Sequence, residues 1–316
     1  VGEAIYTPQA LIFAAGIEEV RGLLRPPLYG EGMAIAVIGT GIRETHMQIS
    51  GHVVYSKNFT ASKMEDTFDH DTGVASIILS VAPLCSLLDF KVLDENGEGT
   101  EEEVIFALEE CMRLYDEDSP YRPCAINLSL GTTDIGDPNS PLRVACRAAG
   151  VERDIWIGAS AGNQGPTSGT ITSPACEPYV GAIGSCSIEP FEISDFSSRG
   201  PTKEGVQKPD TIFFGENIEM ASSRSDTATI AKSGTSFSCP FVLGMAAMFY
   251  EGMTRYGKVQ FMEVDEAGYY PKTIYPLITF EEIEAFYPSI CVKPQGVPAG
   301  KDNAYGHGLI WGALVA

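Results

Sequence analysis

Ser233-Gly234-Thr235-Ser236-Phe237-Ser238-Cys239-Pro240 runs directly into the apolar stretch Phe241–Tyr250. That second half is apolar nearly all round, so as a helix it is a buried one. Pro240 fits a helix only within the first turn, which places the helix start close to Ser236. A residue there lies among unpaired backbone N–H groups at the positive end of the helix dipole. Such a place suits a nucleophile whose reaction creates an oxyanion. Taken alone, the segment reads equally as an ordinary capping turn on a core helix.

Composition narrows the classes around it. A chain of 316 residues with 44% hydrophobic residues can bury a substantial core, as one large α/β domain or two small ones. No run of eighteen apolar residues occurs, so a soluble protein without a membrane span is expected. A net charge of −21 argues against nucleic acid as a partner, because phosphate binding needs clustered Lys and Arg. The eight cysteines are scattered without a C-x-x-C pair, which favours buried free thiols over a zinc site or a disulfide framework. Free thiols favour a reducing, cytoplasmic compartment. The chain begins at Val1 without a charged n-region or an apolar h-region, so no signal peptide is expected within it. The missing initiator Met is compatible with removal of an upstream signal or pro-segment, and so with an extracellular protein.

Along the chain, strands and helices alternate. Residues 1–30 read as irregular around a short amphipathic stretch near Leu11–Leu24. Met33–Ile38 is a continuous apolar run ended by Gly39-Thr40-Gly41, the pattern of a buried parallel strand and its turn. Further strands are expected at Val53–Phe59, Ser86–Leu93, Cys124–Leu130 and Asp154–Ser160. Helices are expected at Asp71–Val81, at Glu101–Met112 behind a Thr100 cap, and at Pro141–Ala149. Residues 252–304 read as an irregular surface excursion, and Tyr305–Leu314 as a turn and short helix. The alternation predicts a doubly wound α/β fold, with a mostly parallel central sheet and helices on both faces. One domain spanning 1–316 is the simplest division, with Gly-rich loops gathered along one edge of the sheet, where open α/β sheets bind ligands.

Several segments together resemble the subtilisin-like serine proteases, the subtilases. Gly234-Thr-Ser236-Phe-Ser-Cys-Pro240 resembles the nucleophile motif G-T-S-x-x-x-P, and Ser160-Ala-Gly-Asn163-Gln-Gly165 the loop A-A-G-N-x-G that carries the oxyanion Asn. Asp69-His70-Asp71-Thr72-Gly73-Val-Ala75 is similar to the catalytic-His motif H-G-T-H-V-A. Ala36-Val-Ile-Gly39-Thr-Gly41 is similar to A-V-I-D-T-G with one change. Ser129-Leu130-Gly131 resembles the edge that pairs with substrate backbone. Later landmarks are Phe196–Pro201, Lys208-Pro-Asp210 and Tyr305–Gly308. These motifs run in the family's order from about residue 30 to the C-terminus.

The resemblance implies a three-layer subtilisin-like fold and peptide-bond hydrolysis through an acyl-enzyme. Carried over by position, Ser236 is the nucleophile, His70 its base and Asn163 the oxyanion donor; Ser129, Leu130 and Gly131 bind peptide or protein substrate. The carboxylate that should orient the base is missing, since Gly39 stands where the family has Asp. Asp71, Gly73, Arg43 and Phe241 are further departures. Two explanations stay open. Asp71 could supply the acid, although neighbours on a helix point about 100° apart. Alternatively the chain is a pseudoprotease that binds peptides or serves as a scaffold. If nothing else is broken, Gly39→Asp, which restores the family pattern, is expected to raise peptide hydrolysis by up to about 10⁴. No cofactor is required. The resemblance implies structural calcium, for which no EF-hand-like spacing names a ligand, so no metal residue is assigned. His46, His52 and His307 read as structural.

Overall fold

The computed structural model describes residues 4–23, 25–256 and 279–311. Two short helices open it, α1 (Pro8–Ala14) and α2 (Ile17–Leu23), where the sequence reads as irregular. Thr7 caps α1 and Pro8 begins it, a start that the apolar pattern alone does not reveal. Then come β1 (Ala34–Gly39), β2 (Val53–Asn58), α3 (Asp71–Val81), β3 (Ser86–Lys91) and α4 (Glu101–Asp116). They are followed by β4 (Ala125–Leu128), α5 (Pro141–Glu152), β5 (Trp156–Ser160), β6 (Gly181–Cys186) and β7 (Thr211–Phe214). A hairpin of β8 (Ile218–Ala221) and β9 (Thr229–Lys232) leads into α6 (Thr235–Tyr256). The chain closes with α7 (Phe280–Ile290), β10 (Cys291–Val292) and β11 (Leu309–Ile310).

Among the described residues the main sheet has the order β10-β11-β7-β6-β5-β4-β1-β3-β2, parallel except for β10. The expected α/β architecture is therefore present. β1, β4, β5 and β6 are buried at every position, as strands covered by helices on both faces must be. α3 and α6 contribute to the core on one face, and α4 and α5 to the core on the other. The strand order reverses at β1. β2 and β3 lie on one side of it and β4 onward on the other, so the carboxyl ends of β1 and β4 flank a topological switch point.

Three expectations are corrected. Residues 252–304 are not simply irregular, since α6 reaches Tyr256 and α7 is a capped helix, with Thr279 and Glu282 in a capping box. Residues 257–278 lie outside the described residues. Leu309–Ile310 is a strand rather than a helix, because it pairs with both β7 and β10; residues 312–314 again lie outside. Pro240 is the sixth residue of α6, beyond its first turn. Its missing N–H leaves the Ser236 carbonyl without a helical donor, and the Ser129 hydroxyl donates to that carbonyl at 2.9 Å instead.

All eight cysteines are free thiols, seven of them buried. No described helix is long and apolar enough to cross a membrane. Among the described residues no three His, Cys, Asp or Glu side chains gather as a metal centre.

Candidate active site

α3 begins immediately after His70. Residue 70 is the N-cap residue, with φ −125° and ψ −61°, and Asp71 is the first residue of the helix. The two are thus not helical neighbours, and the 100° separation that argues against their contact does not apply. Asp71 Oδ1 lies 2.5 Å from His70 Nδ1, and Asp71 Oδ2 accepts the Thr40 N–H at 2.7 Å. A carboxylate only accepts, so Nδ1 carries a proton, and in the neutral ring Nε2 keeps the lone pair. The Asp71 side chain is 2% exposed, which shelters this bond from competing water.

Gly39 explains why there is room. A Cβ on residue 39 would lie 2.0 Å from Asp71 Oδ2 and 2.8 Å from its Cγ. The Asp71 carboxylate fills the space that a side chain on residue 39 would enter. The absent acid at residue 39 and the additional one at residue 71 thus compete for a single space. A carboxylate added at residue 39 alone would collide with Asp71, which argues against the expectation that Gly39→Asp restores activity.

Ser236 is the second residue of α6, partly exposed, and its hydroxyl donates to the Ser129 carbonyl at 3.2 Å. The His70 ring packs 5.3 Å from that of Phe237, the next residue, and 6.4 Å from Phe68 on its other flank. Asn163 is exposed, but its Oδ1 is held by the Thr235 N–H at 2.9 Å and the Thr235 hydroxyl at 3.0 Å. Two donors fix that atom as the oxygen, leaving the Nδ2 hydrogens free for a ligand. Ser129, Leu130 and Gly131 line a cleft of about 490 Å³ together with Thr40, His70 and Phe68. Glu98 and Glu101 also face this cleft, and among the described residues no Lys or Arg does. Further along, Thr132 pairs its backbone with Ser173 at 2.8 and 2.9 Å.

The remaining departures have local causes. A Cβ on Gly73 would meet Met220 Sδ at 2.4 Å; Phe241 packs on Phe213 with centroids 4.9 Å apart; Arg43 pairs with Asp226 at 2.7 Å. His46 and His52 bond backbone carbonyls of Ala228 and Cys85. His307 packs on Tyr287, and burial pushes its pKa down.

Sequence reasoning missed Asp66, Thr40 and Asp89. Asp89 had a signal, a charged residue inside the apolar run Leu87-Leu88-Asp89-Phe90. It is 1% exposed; Oδ2 accepts the Ile42 N–H at 3.0 Å and Oδ1 has no hydrogen-bond partner. Burial pushes its pKa well above the carboxylate range, and nearby Asp71, Glu44 and Asp66 push the same way. A raised folded pKa means that the folded chain holds one more proton, so stability falls as pH rises above the unfolded value. The slope is about 1.4 kcal/mol per pH unit until the folded pKa is reached. Asp89→Asn removes this dependence, so its Tm relative to the native protein is expected to rise as pH increases above the unfolded carboxylate range. A pH-independent difference would contradict the buried acid.

A sequence model of the subtilase family matches residues 30–308. The chain is 31% identical over 259 residues to "Serine protease AprX" of Bacillus subtilis (strain 168), covering 71% of this chain and 58% of that protein. It is 31% identical over 222 residues to "Subtilisin-like protease 6" of Trichophyton schoenleinii, covering 69% and 52%. Thus it spans little more than half the length of these curated relatives. Among solved structures, that of the prenylagaramide maturation protease PagA superposes with a TM-score of 0.72 at 22% identity, covering 95% of this chain and 97% of that one. The "S41 Psychrophilic Protease" superposes at 0.70, also with 22% identity, over 93% and 96%. At that identity the structural matches speak for the fold alone. With the family model covering most of the chain, in the order in which the motifs stand, the chain belongs to the subtilase family.

Proposed function

We propose that this chain hydrolyses peptide bonds as a serine peptidase whose orienting acid, Asp71, stands on α3 instead of at the end of β1. What supports it most is the 2.5 Å contact between His70 Nδ1 and Asp71 Oδ1, in the space left by Gly39. An extended peptide lies along Ser129-Leu130-Gly131, with its scissile carbonyl between Ser236 and Asn163. The Ser236 hydroxyl turns from the Ser129 carbonyl to His70 Nε2, which takes its proton as Oγ attacks the carbonyl carbon. Apo hydrogen bonds of this kind are commonly loose and tighten with substrate. Asn163 Nδ2 and N–H groups at the start of α6 stabilise the oxyanion. His70 then gives its proton to the leaving amine, the acyl-enzyme forms, and water releases the acid by the same steps. Asp71 holds the Nδ1–H tautomer and stabilises the imidazolium. This chemistry requires no cofactor.

A fluorophosphonate probe tests it directly. The native protein is expected to be labelled at Ser236, and both Ser236→Ala and His70→Ala to abolish labelling, since the hydroxyl depends on its base. Labelling that survives in Ser236→Ala overturns the assignment. A native protein that takes no label favours the other explanation, a peptide-binding pseudoprotease. The Ser236 hydroxyl resting on Ser129 would suit that alternative.

A further inference from the structure

We propose that Asp66 is the positioning residue that lets an acid adjacent in sequence serve His70, with Thr40 as its relay. The proposal rests on the peptidase reading above for its kinetic consequences, but not for its geometry. Side chains on consecutive residues diverge by about 100° in a helix and point to opposite faces of a strand. His70 and Asp71 meet because the backbone is neither at this point. Asp69 has φ +67°, in the left-handed region, and His70 follows at φ −125°, ψ −61°. A non-glycine residue in that region is strained and persists only where its surroundings impose it.

Asp66 is the main constraint. Its carboxylate is 4% exposed and accepts from five donors. Oδ1 takes the Thr40 hydroxyl at 3.0 Å and the Asp69 N–H at 2.9 Å. Oδ2 takes the His70 N–H at 3.1 Å, the Thr72 N–H at 3.0 Å and the Thr72 hydroxyl at 2.6 Å. His70, as N-cap residue, makes no capping bond with its own side chain, which is turned to Asp71. Asp66 supplies that cap from four residues upstream. From the other side, the Asp69 carboxylate accepts the Ser223 N–H at 2.8 Å, and its carbonyl accepts Lys232 Nζ.

The relay runs through Thr40. Its hydroxyl donates to Asp66 and accepts the Asp71 N–H at 3.1 Å, while its own N–H donates to Asp71 Oδ2. A continuous hydrogen-bonded path therefore leads from Asp66 through Thr40 and Asp71 to Nδ1 of His70. Asp66 makes no direct contact with the imidazole or the nucleophile; it acts through the placement of residues 69–72.

A cap that only stabilised the fold would lower Tm and nothing else, so the test needs readouts beyond stability. Asp66→Asn keeps the volume and one good acceptor; Thr40→Val keeps the shape and removes the relay hydroxyl. Each is expected to lower kcat by up to about 10²-fold, the cost of a displacement near 1 Å, with KM changed by less than about twofold. In an Asp71→Asn background the same substitutions should cost almost nothing further, because the pair through which they act is already broken. In Ser236→Ala protein, the His70 Nδ1 proton should appear far downfield by NMR and move upfield or broaden in both variants. Native kcat with a lowered Tm overturns the proposal, as does an undiminished loss in the Asp71→Asn background. A native protein that hydrolyses no peptide defeats the peptidase reading alone. The Nδ1 proton then decides for Asp66, and an unshifted resonance in both variants overturns its role. If Asp66→Asn does not fold, Thr40→Val carries the same test.

Discussion

Moving the carboxylate back to the strand, in the double variant Gly39→Asp/Asp71→Gly, is expected to hold kcat within about tenfold of native, while Asp71→Asn alone lowers it by about 10⁴. The second figure is the size known for losing a triad carboxylate, in subtilisin among others, and is carried over from that family member rather than derived from this geometry. The double variant places both family residues in one chain, an acid at the end of β1 and a glycine after the histidine. It removes the clash that a side chain added at residue 39 alone would meet, 2.0 Å from Asp71 Oδ2. Gly39→Asp by itself is accordingly expected to be impaired, through overlap and through two like charges sharing one buried space. Peptide hydrolysis by the four proteins, with Tm recorded for each, checks the set. A single Gly39→Asp variant more active than the native protein would falsify the assignment of Asp71 as the acid.

Ser236→Ala is expected to lower kcat by about six orders of magnitude and to leave peptide affinity nearly unchanged. The first value is again the one known for subtilisin. The contrast between the two follows from the geometry. The cleft wall is backbone and side chain from Ser129 to Thr132, together with Phe68 and Leu93, and Ser236 is not among the residues that line it. Its loss removes one bond to the Ser129 carbonyl, while the reverse bond from Ser129 to the Ser236 carbonyl remains. Peptide captured by Ser236→Ala protein and then cut by the native protein identifies a peptidase. Captured peptide left intact by the native protein identifies a binding module, and a large drop in affinity in the variant would contradict the placement of the cleft.

Much of the fold could be read from local pattern. The run Met33–Ile38 and the strand β1 agree to within a residue, and Asp71–Val81 is α3 as expected. Thr100 caps α4 in a full capping box with Glu103, because the signal lies within four consecutive residues. β6 was missed, since Gly-Ala-Ile-Gly-Ser-Cys carries little strand propensity and becomes a strand by pairing between β5 and β7. β8 and β9 are four residues each and α7 lies in a stretch rich in aromatic and acidic residues, so neither shows a long period.

In the site the division is sharper. Residue types and their order along the chain nominate Ser236, His70, Asn163 and the Ser129–Gly131 edge as candidates, because each lies in a short contiguous motif. They also raise Asp71 as a substitute for the acid missing at Gly39, thirty-two positions earlier, but helical geometry argues against its contact with His70. Only the packing of the end of β1 against the start of α3 brings residues 39 and 71 into one space, with Thr40 bonded to Asp71 in both directions. Whether adjacent residues can share a hydrogen bond depends on their dihedral angles. Here Asp69, the residue before the pair, is bonded by Asp66, Ser223 and Lys232, drawn from three separate parts of the chain.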